Sequence, residues 1–173
     1  MTDISHTPAH EMQLLDFEHL GCFTTRGEIV VADPRYVDSR FSGLRNGLLL
    51  LCHEIRVEPG RWEAFAIRSQ EDGSTVDFLL ACHEDELETR APFGEVERIG
   101  VVAIDTGRVA MIDSGHRDTD TLEAATAVAA IEAGPRVVDE LGPVAALPNA
   151  GLFPLYASSG ATRRMLFVAF GQD

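Results

Sequence analysis

Short apolar runs, most alternating with polar positions and each closed by a turn signal, fill the first two thirds of the chain and predict strands rather than long helices. The clearest case is 76–82. There Val76, Phe78, Leu80 and Cys82 point to one face, and Asp77, Leu79, Ala81 and the following His83 to the other. The same reading predicts strands over 13–20, 28–32, 48–57, 61–68, 75–82, 98–105, 108–113, 153–157 and 165–170. In the last of these, Met165, Phe167 and Ala169 alternate with Leu166, Val168 and Phe170, so both faces are apolar and a central position is expected.

Glu58-Pro59-Gly60, Asp72-Gly73 and Asp105-Thr106-Gly107 supply the preset φ of proline or the positive φ of glycine that tight turns between antiparallel strands require. Their succession predicts a meander. The style changes at Asp118: Asp120 is placed to cap a helix, Glu123 follows three residues later, and an Ala-rich stretch runs to Ala133 before Gly134 and Pro135 stop it. Leu122, Ala125, Ala129 and Glu132 form a narrow stripe suited to packing on a sheet, and 137–141 is expected to add a helical turn. The expected fold is therefore mainly β (α+β): an antiparallel meander forming a sandwich or a partly open barrel, with one inserted helix near 120–133. A chain of 173 residues is expected to fold as a single domain over 1–173, with 1–11 flexible.

Charge narrows the partners. Asp and Glu number 28 against 14 Lys and Arg, and since the chain has no Lys every one of those cations is Arg, for a formal charge of −14. Such a surface repels phosphate backbones and anionic headgroups, which argues against nucleic acid and membranes and favours basic proteins or metal ions; the same charge also serves solubility. Residues 1–12 lack the basic flank and apolar run of a secretory signal, and the aliphatic run at 48–51 is far short of a membrane span. Three Cys cannot all pair within one chain, so a reducing compartment, the cytoplasm, is expected.

Two motif pairs carry candidate chemistry. Cys52-His53-Glu54 is echoed thirty residues later by Cys82-His83-Glu84, and thiolate and imidazole are zinc ligands, so Cys52, His53, Cys82 and His83 are the candidate metal set and zinc the cofactor they would imply. On strands, however, Cys and His of each pair point to opposite faces, which favours buried thiols beside imidazoles at strand ends. Asp105-Thr106-Gly107 and Asp113-Ser114-Gly115 look like the carboxylate loops of aspartic proteases, but a short strand would hold them roughly 25 Å apart, which favours plain turns. Asp33, Arg35, Tyr36 and Arg40, with Asp105 and Asp113, are the candidate recognition residues, because arginine beside aromatics is the composition of binding surfaces. No Gly-x-Ser-x-Gly elbow occurs, and a chain without Lys has no phosphate-binding Gly-Lys loop.

The order of GEIVVADP at 27–34, VEPGRWEAF at 57–65, VVAIDTGRVAMIDSG at 101–115 and GLFPLYASSGATRRMLFVAF at 151–170 resembles a family of bacterial, mainly β domains of unknown function. The resemblance implies a bacterial, cytoplasmic protein and assigns no catalytic residue; against that pattern 118–133 is an insertion, and Asn149-Ala150-Gly151 stands where a Gly-Asp-Gly-like turn belongs. The function expected is a non-catalytic binding or regulatory module, of the immunity or accessory kind, that neutralises a basic partner. One alternative is a metal-dependent or small-molecule enzyme using strand-end groups at Asp33, His53, His83, Asp105 and Asp113. Another is a β-barrel enclosing an apolar ligand among Trp62, Phe65, Phe78, Phe167 and Phe170.

Overall fold

The computed structural model describes residues 17–38, 45–46, 49–69, 71, 73, 75–88, 95–131, 134–138 and 141–171. In chain order the strands are β1 (Phe17–Thr25), β2 (Glu28–Ala32), β3 (Arg45–Asn46), β4 (Leu49–Leu50), β5 (Cys52–Arg56), β6 (Gly60–Arg68), β7 (Val76–His83), β8 (Val96–Ile104), β9 (Arg108–Asp113), β10 (Arg136–Val138), β11 (Gly142–Ala146), β12 (Gly151–Ser158) and β13 (Met165–Ala169). The helices are α1 (Glu84–Glu88) and α2 (Thr119–Ile131). An eight-stranded sheet runs β1-β6-β7-β13-β12-β8-β4-β3, and a five-stranded sheet runs β10-β11-β9-β2-β5. Among the described residues the named strands pair antiparallel except at Leu50 and Val102 between β4 and β8, and an isolated parallel bridge joins Val57 to Arg163. The result is a mainly β sandwich of two sheets, as expected, with no closed barrel among the described residues.

The inner faces meet in one core that includes Ile29, Val31, Trp62, Leu79, Met111, Leu155 and Val168. The strands β2 and β9 read as continuous apolar runs because both of their faces are covered: Val30, Ala32, Ala110 and Ile112 turn outward to a second core with Leu122 of α2, Val37, Cys52 and Val144. The helix sits where expected, but its cap is Asp118. Its carboxylate accepts from the amides of Asp120 (3.1 Å) and Thr121 (3.3 Å) and from the Thr121 hydroxyl (2.8 Å), which hold that carboxyl below its ordinary pKa, the Thr121 hydroxyl most of all. Leu122 and Ala125 face the sheet as expected but are buried, together with Thr126, more deeply than so weakly apolar a stripe suggests, whereas Glu132 and Ala133 lie outside the described residues.

Four local expectations change. Residues 48–57 are not one strand: β4 and β5 belong to different sheets. Arg136–Val138 is a strand paired with β11 instead of a helical turn. The first strand extends to Thr25, not Leu20. Finally, Glu58-Pro59-Gly60 and Asp105-Thr106-Gly107 are not hairpins; each carries the chain from one sheet to the other, as does Thr25-Arg26-Gly27. The glycines supply the positive φ these corners need (Gly27 +119°, Gly60 +129°, Gly107 +70°), which reverses the chain without deciding which strand pairs with which. No helix among the described residues is long and apolar enough to cross a membrane.

Candidate functional site

The acidic residues singled out from the sequence become corner staples. Asp33 is fully buried just past β2. Its Oδ2 accepts from the amides of Asp105 (2.9 Å) and Thr106 (2.7 Å), its Oδ1 accepts from the amide of Arg35 (3.0 Å), and the Thr106 hydroxyl lies 2.9 Å from both oxygens. At the surface beside it the Tyr36 hydroxyl donates to Asp105, and that bond to a carboxylate raises the tyrosine pKa. Asp33, Arg35, Tyr36 and Asp105 are thus brought together, whereas Arg40 lies outside the described residues. Asp113 lies at the far end of β9 from Asp105, so the two protease-like triplets form no dyad. Its buried Oδ1 accepts from the Thr25 hydroxyl (2.9 Å) and the Arg26 amide (2.8 Å), and its Oδ2 from the Gly115 amide (3.1 Å).

The Cys and His residues are dispersed. Cys52 lies in the core under α2, and His53, on the opposite face of β5, crosses the sandwich so that its Nε2 donates to the Val101 carbonyl of β8 at 2.7 Å. Burial pushes the His53 pKa down, because the charged imidazolium is the form that suffers from desolvation. Gly100 makes room for the ring: a Cβ there would stand 2.6 Å from Cε1. Cys82 is buried on the outer face of the eight-stranded sheet, its thiol pushed up to about 12 by burial, while His83 turns the other way toward the third corner. There the backbone amide of Asp85 donates to His83 Nδ1 (3.2 Å), which leaves Nε2 to donate to the Pro59 carbonyl (3.2 Å); the Trp62 indole donates to the Glu58 carbonyl (2.8 Å). The opposite-face expectation for each Cys-His pair therefore holds, and the four residues do not meet. Among the described residues no three His, Cys, Asp or Glu side chains gather as a metal ion would require.

No protein-family model, curated protein or solved structure matches this chain.

The feature that a reading of single motifs misses is a side-chain grid on the outer face of the eight-stranded sheet. Register places Tyr156 opposite Phe167, Phe167 opposite Leu80, Leu80 opposite Phe65, and Phe65 opposite His19, a row that crosses five strands. On one side runs the row Ala169, Phe78, Ile67 and Phe17; on the other, Met165, Cys82, Glu63 and Cys22. Tyr156 stacks on Phe167 (4.7 Å between centroids, 11° between planes), and Phe78 meets Phe167, as Phe17 meets Phe65, edge to face. Leu80, Cys82, Met165 and Phe167 are buried; Phe65, Phe78 and Tyr156 are partly exposed, and Phe17 is exposed at one end. Glu63, 8 % exposed, accepts from His19 Nε2 (2.7 Å) and Arg61 Nε (2.9 Å), so a polar corner closes the apolar field. The signal lay in the alternation of Val76, Phe78, Leu80 and Cys82 and in the two apolar faces of 165–170; what was hidden is that the two strands are neighbours.

Proposed function

We propose that the chain is a non-catalytic binding or regulatory module, of the accessory or immunity kind, that engages a basic protein in the bacterial cytoplasm. The observation that carries this reading is the acidic end of the eight-stranded sheet, where β7 leads into α1. Glu84 and Asp85 stand exposed there beside Leu87, with Glu58, Glu63 and Glu86 close by; Arg61 pairs with Glu63, and Arg164 lies 3.9 Å from Glu58 and 3.8 Å from Glu86. Acids outnumber cations at this end, as they do in the whole chain, so the local field attracts a cationic surface and steers its approach. The structural duties of Asp33, Asp113, His53 and His83, each bonded to backbone at a corner or across the sandwich, support the same reading over an enzyme built on those groups.

The test compares two charge reversals of equal size. A folded cationic protein such as egg-white lysozyme serves as probe for the full chain, the double variant E84K/D85K at α1 and the double variant D120K/E123K on α2. The reading expects binding that weakens with salt and falls about ten-fold further for the α1 variant than for the α2 variant. Equal losses from both variants, or binding indifferent to salt, would overturn it.

A further inference from the structure

Resting on that reading, we infer that the partner is held through the outer face of the eight-stranded sheet by a cationic, amphipathic segment. Its apolar side chains lie over the partly exposed rings of Tyr156, Phe78 and Phe65, and its Arg or Lys side chains reach the acids around α1. The outer faces of a sandwich ordinarily carry polar residues in alternation with the buried ones. Here one outer face is covered by α2, which seals the second core, whereas on the other the partly exposed rings of Phe65, Phe78 and Tyr156 lie over the buried Leu80, Cys82, Met165 and Phe167, beside α1, five residues long, which meets β6 and β7. The field runs from Phe17, 37 % exposed on β1, to Leu152, 58 % exposed on β12, with the partly exposed rings of Phe65, Phe78 and Tyr156 between them. An apolar patch of this kind, rimmed by charge, is the surface form of an interaction site.

The dimensions and the charge select the occupant. From Tyr156 to Phe65 the row crosses three strand-to-strand intervals, about 14 Å at ~4.8 Å each, the length of an amphipathic helix of about 10 residues. Glu63 lies in the Cys82 row and Glu84, Asp85 and Glu86 lie beyond it, while Arg98 stands opposite Tyr156 at the far end of the aromatic row. A segment that puts its cations toward α1 therefore meets opposite charge there, and its apolar stripe meets the rings, over which an arginine or lysine stem also packs favourably. A second copy of this chain is the poorer fit, because it would bring two chains of −14 together with their acidic rims opposed.

The experiment uses the full chain and two synthetic peptides of about fourteen residues with equal positive charge, one a helical Lys/Leu amphipath and the other with Ser in place of every Leu. The inference expects the amphipath to bind at least about ten-fold more tightly than the Ser peptide, an advantage that F65S and F78S each reduce about ten-fold. A photo-crosslinker on the apolar stripe of the amphipath, used with the unmutated protein, is expected to label β6, β7, β12 or β13, a readout that does not depend on either variant folding. Equal affinity for the two peptides, labelling elsewhere, or a dimer of this chain that F78S dissociates would overturn the inference. If the two peptides bind equally but the α1 charge reversal still weakens them, the inference falls and the basic-partner reading stands. If neither peptide nor lysozyme binds, both fall.

Discussion

Asp33 and Asp113 each hold the corner that leads into the other's strand. Asp33, one residue past β2, binds the amides of Asp105 and Thr106 from which the chain enters β9; Asp113, the last residue of β9, binds the hydroxyl of Thr25 and the amide of Arg26 from which it enters β2. Since β2 and β9 are antiparallel neighbours, the two carboxylates lie at opposite ends of one strand pair and fix both sheet crossings that flank it.

This arrangement makes Asp33 costly to remove. Replacing it with Ala strands the Asp105, Thr106 and Arg35 amides and the Thr106 hydroxyl in a part-buried corner, and each group left unsatisfied costs about 1–3 kcal/mol less what water restores, so a loss of about 2–4 kcal/mol is expected. Asp33→Asn, which keeps one acceptor oxygen, is expected to lose less. Urea unfolding, read as a lowered midpoint at unchanged slope, checks both values; a loss below that of an ordinary surface substitution would show that Asp33 does not hold the corner.

A pH dependence follows from His53. Its folded pKa lies below the ordinary value of 6.5, so between the two values the unfolded chain binds more protons than the folded one. The contribution to stability is therefore complete above about pH 6.5 and is lost as the pH falls through the folded pKa. His53→Gln retains an N–H donor for the Val101 carbonyl and removes the titration. Thermal unfolding between pH 7.5 and 5 is expected to show the midpoint of the unmutated protein falling more steeply than that of the variant, and parallel curves would refute the assignment.

Glycine substitutions separate strain from collision. Gly142 has φ +141°, and a Cβ there would stand 2.0 Å from the Met111 carbonyl oxygen, whereas Gly73, at φ +67°, would meet nothing within 4 Å. Gly142→Ala is expected to cost upwards of about 3 kcal/mol or to prevent folding, and Gly73→Ala about 1 kcal/mol. Calorimetric midpoints of the two variants give the comparison; similar values would count against the close approach of β11 to β9.

The three thiols are expected to differ in reactivity. Cys22 is exposed, Cys52 lies under α2, and Cys82 is buried with its thiol pushed up to about 12. A chromogenic disulfide reagent at pH 8 should therefore titrate one thiol quickly in the native protein and all three in denaturant. Fast reaction of Cys82 would show that the outer face opens at β7.

Much of this was legible from local pattern. The alternation in 76–83 correctly put Cys82 and His83 on opposite faces, and the Asp105 and Asp113 triplets were correctly separated by one short strand. The cap was misread by two residues, because Asp118 and Asp120 are equally good acceptors on paper and only the position of Thr121 chooses between them. The outer-face grid was half legible: two of its strands displayed their apolar faces, but their adjacency depends on residues as far apart in the chain as Leu80 and Phe167.

By itself the sequence determined the type of most elements, the direction of their side chains and the mainly β class, with sandwich and partly open barrel both left open, because these depend on spacings of two to four residues. The tertiary structure alone decided which sheet each strand joins, that Glu58-Pro59-Gly60 and Asp105-Thr106-Gly107 cross between sheets, and that Tyr156, Phe167, Leu80, Phe65 and His19 form one row. The reason is physical: a turn residue sets only the local φ and ψ, whereas pairing and register are settled by which distant strands together bury the most apolar surface and leave no backbone group unbonded.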